Sequence, residues 1–267
     1  MSTTDASQIE SRLEVRAGGL IAHVAISNPA RLNSMNSGLM AQFIETIGAL
    51  ATNSDLRALV LTGAGEKAFI GGADIKEMAV LASPDQARTF IARVHDCCVA
   101  LRDLPVPVIA RINGACFGAG LEMAAACDLR VASTTALFGM QEVRLGIPSV
   151  IEAALLPTLV GWGRAREILL LGETFDAQRA LDWRLVERLA GPDVLDASVE
   201  TWLESLLACS PGAVRAQKAL IRKWEDLPLT AAISAGIDSF AAAFETPEPR
   251  EAMREFLERE AIRKALR

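Results

Sequence analysis

Chemistry in this 267-residue chain is concentrated in three segments. The first, Ala68-Phe69-Ile70-Gly71-Gly72-Ala73-Asp74-Ile75-Lys76, follows one predicted strand and opens a helix, so main-chain N–H groups around Gly72 and Ala73 can point at an anion. The second, Asn113-Gly114-Ala115-Cys116-Phe117-Gly118-Ala119-Gly120-Leu121-Glu122, follows a strand ending at Ile112 and leads into a helix that runs to Cys127. Its small residues allow close backbone approach. A helix start with free N–H groups and a positive dipole end can hold a developing oxyanion, and two such loops could donate two hydrogen bonds. The third, Phe138-Gly139-Met140-Gln141-Glu142 followed by Leu145-Gly146-Ile147-Pro148, sets a carboxylate among apolar residues and glycines, where an ionised group is costly without a partner or a task.

None of the three is a nucleotide motif. Gly118-Ala119-Gly120 lacks the third glycine of a dinucleotide fingerprint, and no G-K-[ST] occurs. Taken singly, each acid also has a plain structural reading. Glu122 is an ordinary first-turn helix carboxylate, Glu142 a salt-bridge partner of Arg144 or Arg130, and Asp74 a helix-start residue. His23 on a strand and His95 on a helix read as structural, since no Ser or Cys nucleophile motif accompanies them.

The elements that position these segments follow from periodicity. Apolar alternation at Leu13 and Val15, then at Leu20, Ala22, Val24 and Ile26, predicts two strands turned at Gly18 and Gly19. Leu39, Phe43, Ile47 and Leu50 repeat at helical spacing behind a cap at Asn36 or Ser37, giving a helix over roughly 37–51. Ala58 to Leu61 reads as a buried strand and Val106 to Ile112 as another. Between them Ser83, Pro84 and Gln86 mark a helix start, with Phe90, Ile91, Val94, Cys98 and Leu101 as its inner stripe. After residue 150 the pattern is mostly helical: Arg164 to Leu171, Ala177 to Leu181, Val194 to Ala208, Ala213 to Trp224, Leu229 to Phe244 and Glu248 to Glu260. These helices must bury their apolar faces on the core or on another subunit.

Composition limits the partners. A net charge of −6, a pI near 5.2, 5% aromatic residues and no Tyr argue against nucleic acid and anionic membranes as ligands. The longest uncharged run, Ala17 to Ala30, contains His23, Asn28 and Pro29 and is too short for a span of about 20 residues. Residues Met1 to Glu10 show no secretion signal, so a cytoplasmic location is expected. The five cysteines have no C-x-x-C spacing and read as reduced, small apolar residues rather than as metal ligands.

In order and type, these segments resemble the enoyl-CoA hydratase/isomerase (crotonase) superfamily over nearly the whole chain. The similarity runs from Arg31-Leu32-Asn33-Ser34-Met35-Asn36 through both Gly-rich segments, Phe138-Gly139 with Glu142, Gly161, Gly172 and the helix from Ala177, to Phe256-Leu257-Glu258-Arg259. The resemblance implies an α/β fold with a spiral core of ββα turns over residues 1–200. A helical region over 201–267 would serve trimerisation, commonly as a dimer of trimers. It implies an acyl-CoA thioester as substrate, with no metal and no cofactor beyond the coenzyme A of the substrate itself. The N–H groups of Ala73 and Ala119 would form the oxyanion hole, a donor of this kind being worth about 2.7–4 kcal/mol. Glu122 and Glu142 match the two acids that hold water against the β-carbon in the hydratases, with Glu122 as base and Glu142 as the acid toward the α-carbon. Arg31, Leu32, Ser34, Gly72, Asp74, Ile75, Lys76, Gly118, Ser149 and Arg259 match substrate-binding positions, although Lys76 and Arg259 read equally well as solvated charges.

The chain also departs from the family. Ala119 replaces a glycine. The turn after Glu142 reads Gly146-Ile147-Pro148-Ser149-Val150-Ile151-Glu152, one residue short and bulkier than the usual glycine-rich turn. Glu152 reads as a first-turn charge of the helix reaching Leu156. Arg184 stands where a glycine is expected after a helix, and a left-handed conformation there would cost about 1 kcal/mol. The resemblance implies a hydratase. The alternatives are an isomerase, in which Glu142 alone shuttles the proton, and a non-catalytic member with a blocked pocket.

Overall fold

The computed structural model describes residues 7–265, so residues 1–6 of the polar N-terminal stretch and the last two residues of the charged C-terminal stretch lie outside it. Strands β1 (Gln8–Arg16) and β2 (Gly19–Ser27) pair antiparallel across the expected Gly18–Gly19 turn. Helix α1 (Ser37–Ala51) begins at Asn36, whose side chain accepts the Leu39 N–H at 2.9 Å, and buries Leu39, Phe43, Ile47 and Leu50.

Three further stretches repeat one path: a strand in a large sheet, a short strand in a second sheet, then helix. The first is β3 (Leu56–Gly63), β4 (Ala68–Ile70), α2 (Ile75–Met78) and α3 (Pro84–Asp103). The second is β5 (Val108–Ile112), β6 (Ala115–Phe117) and α4 (Ala119–Ala126). In the third, β7 (Leu129–Ser133) and β8 (Leu137–Gly139) lead through two 3-10 turns, Glu142–Leu145 and Ile151–Leu155, into α5 (Leu156–Leu171). Then come β9 (Phe175–Asp176), α6 (Ala177–Asp182), β10 (Arg188–Ala190) and α7 (Leu195–Leu207). The large sheet runs β1-β2-β3-β5-β7-β10 and the small one β4-β6-β8-β9. Apart from the β1–β2 and β8–β9 pairs, all pairings are parallel. Strands β4 and β6 of the small sheet each lead from one of the Gly-rich segments into a helix.

Parallel strands covered on both faces need near-continuous apolar runs, and β3, β5 and β7 are buried along almost their whole length. Ser83 caps α3 by accepting the Gln86 N–H at 3.2 Å. Of the expected inner stripe, Phe90, Val94, Cys98 and Leu101 are buried, whereas Ile91 is only half-buried. Cys97, Cys98, Cys116 and Cys127 lie in the core, but Cys209 is exposed, because it follows the end of α7 rather than sitting on an inward face. Arg184 does adopt the left-handed conformation, at φ +64°.

The chain divides into a unit ending at Leu203 and a second beginning at Glu204. The second contains α8 (Pro211–Trp224), α9 (Leu229–Ala243) and α10 (Glu248–Ala265). Within it, Trp224 Nε1 donates to the Ala232 carbonyl at 2.9 Å, and the Glu248 carboxylate accepts the Gly212 N–H at the start of α8 at 2.9 Å. Leu229, Ile233, Ile237 and Phe240 on α9 are exposed.

Candidate active site

The ends of the two Gly-rich segments and the turn after β8 enclose a cavity of about 650 Å³. Gly72, Ala73, Gly118, Ala119, Glu122 and Glu142 all line it. The rest of its wall is mainly apolar, with Met78, Leu81, Phe90, Ile91, Leu145, Ile147 and Val150.

Ala73 owes its orientation to a single parallel bridge with Met35. Met35 N–H donates to the Gly72 carbonyl and Asp74 N–H to the Met35 carbonyl, both at 2.9 Å. In an extended chain successive peptide groups alternate sides, so the N–H of Ala73 itself turns away from Met35 and meets no acceptor among the described residues. Asp74 is buried. Its carboxylate accepts the Lys76 N–H at 2.8 Å and pairs with Arg31, and although burial alone would raise its pKa, these partners hold it below the usual value. That confirms the helix-start reading.

The second loop turns at Gly118, whose φ of +50° is in the left-handed region that favours glycine. Gly118 N–H donates to Gly139 and the Gly118 carbonyl accepts the Leu121 and Glu122 N–H groups. The N–H of Ala119, the first residue of α4, has no acceptor among the described residues. Two unused amides from two strand-to-helix loops therefore border one cavity.

Glu122 projects from the first turn of α4 and is 4% exposed. Its carboxyl is pushed up to about 8, first by burial and then by the negative charge of Glu142, with a smaller push from Glu152 and an opposing pull from the Ala153 N–H. That N–H reaches Glu122 Oε1 at 3.2 Å. Glu142 sits at the start of a 3-10 turn, where its Oε2 accepts the Ser149 hydroxyl at 2.8 Å. Neither arginine considered from the sequence pairs with it: Arg130 binds Glu187, and Arg144 donates to the Leu171 carbonyl. Arg130 finds its partner after α6 and Arg144 at the last residue of α5.

Of the other expected substrate-binding positions, Gly72, Ile75 and Gly118 line the cavity. Leu32 is exposed, and its carbonyl accepts the Gly71 N–H at 2.7 Å. Arg31 is occupied by Asp74, Ser34 is half-buried, and Lys76 is exposed on α2. Ser149 meets the site through Glu142, by its side chain. Arg259 is exposed on α10, in the second unit.

Glu152 needs correction. It does lie in a first turn, but it is 4% exposed, and its Oε1 lies 2.9 Å from His95 Nδ1 on α3. A first-turn glutamate and a helical histidine give no sign in sequence that they will meet. The apolar lining was equally silent, since Leu145, Ile147 and Val150 occupy a turn without periodicity.

Residues 16–263 match the enoyl-CoA hydratase/isomerase family. The chain belongs to that family. Among relatives of the hydratase/isomerase family it is 34% identical to a short-chain-enoyl-CoA hydratase of Clostridium acetobutylicum, over 91% of this chain and 94% of that protein. It is 32% identical to a crotonyl-CoA hydratase of Syntrophomonas wolfei, over 90% and 92%. The crystal structure of a Mycobacterium smegmatis enoyl-CoA hydratase superposes with a TM-score of 0.89 at 30% identity, covering 94% of this chain and 96% of that one. The repeated strand-strand-helix path is thus the fold of this hydratase/isomerase family. No group of three or more His, Cys, Asp or Glu among the described residues could hold a metal ion, and no described helix is long and apolar enough to cross a membrane.

Proposed function

We propose that this member of the family is an enoyl-CoA hydratase, adding water across the 2,3 double bond of a 2-enoyl-CoA thioester to give a 3-hydroxyacyl-CoA. One observation carries the reading: two carboxyl groups close enough for one to raise the other, and two backbone N–H groups without acceptors among the described residues, belong to residues that line a single cavity. The amides of Ala73 and Ala119 bind the thioester oxygen. As water adds, electrons of the double bond move onto that oxygen, so the amides act on charge that grows only in the transition state.

The two acids share one proton. Burial places it on Glu122, and a water between the acids passes it to Glu142. Glu122 then takes a proton from the water as its oxygen bonds to the β-carbon, and Glu142 gives its proton to the α-carbon. Turnover ends with the proton on Glu122 again. An isomerase needs only one shuttling acid; a second one, buried and held by its own N–H donor, favours hydration.

Substrate binding falls to Gly72, Ile75 and Gly118 at the cavity, with Arg31, Leu32, Ser34, Asp74, Lys76 and Ser149 supporting or extending it. The mainly apolar wall suits a hydrocarbon acyl group. The exposed apolar residues of α9 suit a homotrimer or dimer of trimers, and a cytoplasmic location fits the acidic composition. The deciding experiment follows loss of the conjugated thioester absorbance for short, medium and branched 2-enoyl-CoAs. Turnover with 3-hydroxyacyl-CoA as product supports the reading; double-bond migration without hydration, or no turnover of any of them, overturns it.

A further inference from the structure

Glu152 is an anomaly that the two-acid site does not use. Its side chain is 4% exposed, and one oxygen, Oε2, is buried without an N–H or O–H partner among the described residues, with the Cys98 thiol as the carboxylate's neighbour. The residue before it, Ile151, has φ +42°, a left-handed conformation that is a genuine outlier for a β-branched side chain. The residue after it, Ala153, donates its N–H to Glu122. Strain and a buried oxygen without an N–H or O–H partner thus fall on adjacent residues, directly behind the acid whose proton matters. Such features persist where the surroundings hold them, and they cluster at functional sites.

We propose that Glu152 is a positioning residue for the hydratase chemistry: its carboxylate, held by His95, supplies the negative charge that keeps the shared proton of the Glu122–Glu142 pair in place at working pH. This rests on the hydratase reading above. The groups around Glu122 bear it out. Glu142 faces it from the first 3-10 turn and Glu152 from the second, while α3 contributes His95 and Cys98. Cys116 is the ionisable residue of β6, and β4 contributes none. His95 is half-exposed at its ring, so the pair reaches from solvent to the back of the site. Both neighbouring carboxylates push the Glu122 carboxyl in the same direction, but Glu142 must change protonation during the reaction. Glu152 does not line the cavity and is free to act as a constant charge.

The test is the pH profile of kcat/KM for crotonyl-CoA in wild type, Glu152→Gln, Glu152→Ala and Glu152→Asp. Loss of the last proton from the pair sets the upper limb, near the value of about 8 at Glu122. Removing a like charge lowers that value, so in Glu152→Gln and Glu152→Ala the upper limb should move to lower pH by up to about one unit, the small end of the range for a close charge, since Glu152 acts less strongly on Glu122 than Glu142 does. Glu152→Asp, which keeps the charge, should titrate like wild type even if kcat falls. A purely structural Glu152 would lower kcat or thermal stability with the limb unmoved, and that result overturns the proposal. If the wild type hydrates no enoyl-CoA, the hydratase reading fails on its own. The Glu122 carboxyl is then titrated by carbon-13 NMR, its signal assigned with Glu122→Gln. An unchanged titration in Glu152→Gln again overturns the role given to Glu152.

Discussion

The Ser149 hydroxyl donates a 2.8 Å hydrogen bond to Glu142 Oε2, and this bond ties the turn after the cavity to one of its two acids. A hydrogen bond to a charged group is worth about 1.5–3 kcal/mol. Ser149→Ala should therefore lower kcat about ten- to a hundredfold with little change in KM, as steady-state kinetics on a 2-enoyl-CoA would read; unchanged kcat would show that Glu142 is held by other means.

Glu122→Gln and Glu142→Gln should each lower kcat by about a hundred- to ten-thousandfold, the range of positioned acid–base catalysis. Affinity for a saturated acyl-CoA, measured by calorimetry, should stay within a few-fold, because the Ala73 and Ala119 amides remain. Full activity in Glu122→Gln would remove the two-acid mechanism and favour isomerisation.

Glu122 also makes stability depend on pH. Its carboxyl sits at about 8 in the folded chain against an ordinary value of 4.5, so the folded state keeps a proton that the unfolded chain has released. This group's contribution therefore falls as pH rises from about 4.5 to about 8. Glu122→Gln should match wild type in Tm near pH 4.5 and exceed it by several degrees at pH 8. Parallel melting curves across that window would contradict the burial argument.

Two glycines of one loop should fail in different ways. A Cβ on Gly118 would lie 2.5 Å from Glu142 Oε1 and would force an alanine to φ +50°. A Cβ on Gly120 would overlap the Ile70 carbonyl, a backbone atom that cannot give way. Gly118→Ala should lose activity with modest loss of Tm, while Gly120→Ala should lose Tm first. Circular dichroism melts beside the absorbance assay separate the two.

Arg184→Gly should raise stability by about 1 kcal/mol, since the glycine tolerates the left-handed φ of +64° that arginine adopts at a cost. Chemical denaturation reads this directly; no gain would mean that the side chain compensates for its backbone.

The elements around the site were legible wherever a single face or cap dictated them. Asn36 and Ser83 announce their helices, and the burial of Leu39, Phe43 and Ile47 follows from their spacing. Strands β9 and β10, at two and three residues, carry too little pattern to stand out. Of the two acids, Glu142 stands out through its apolar setting, whereas Glu122 reads alone as a first-turn helix carboxylate and takes its role from the family resemblance. Their partners were not. Arg130 and Arg144 look equally available to Glu142 on charge alone, and only the fold sends them to Glu187 and Leu171. Glu152 and His95 are 57 positions apart and meet because α3 packs against a turn that periodicity cannot describe.

The lone bridge between Met35 and Ala73 makes the spacing of the segment after the first hairpin a property of the oxyanion loop. Inserting or deleting one residue between Pro29 and Met35 would move Met35 out of register with Ala73 and break the two hydrogen bonds that aim the Ala73 amide. That stretch, irregular and partly exposed, is the kind where length variation is usually tolerated, yet here it behaves as a ruler.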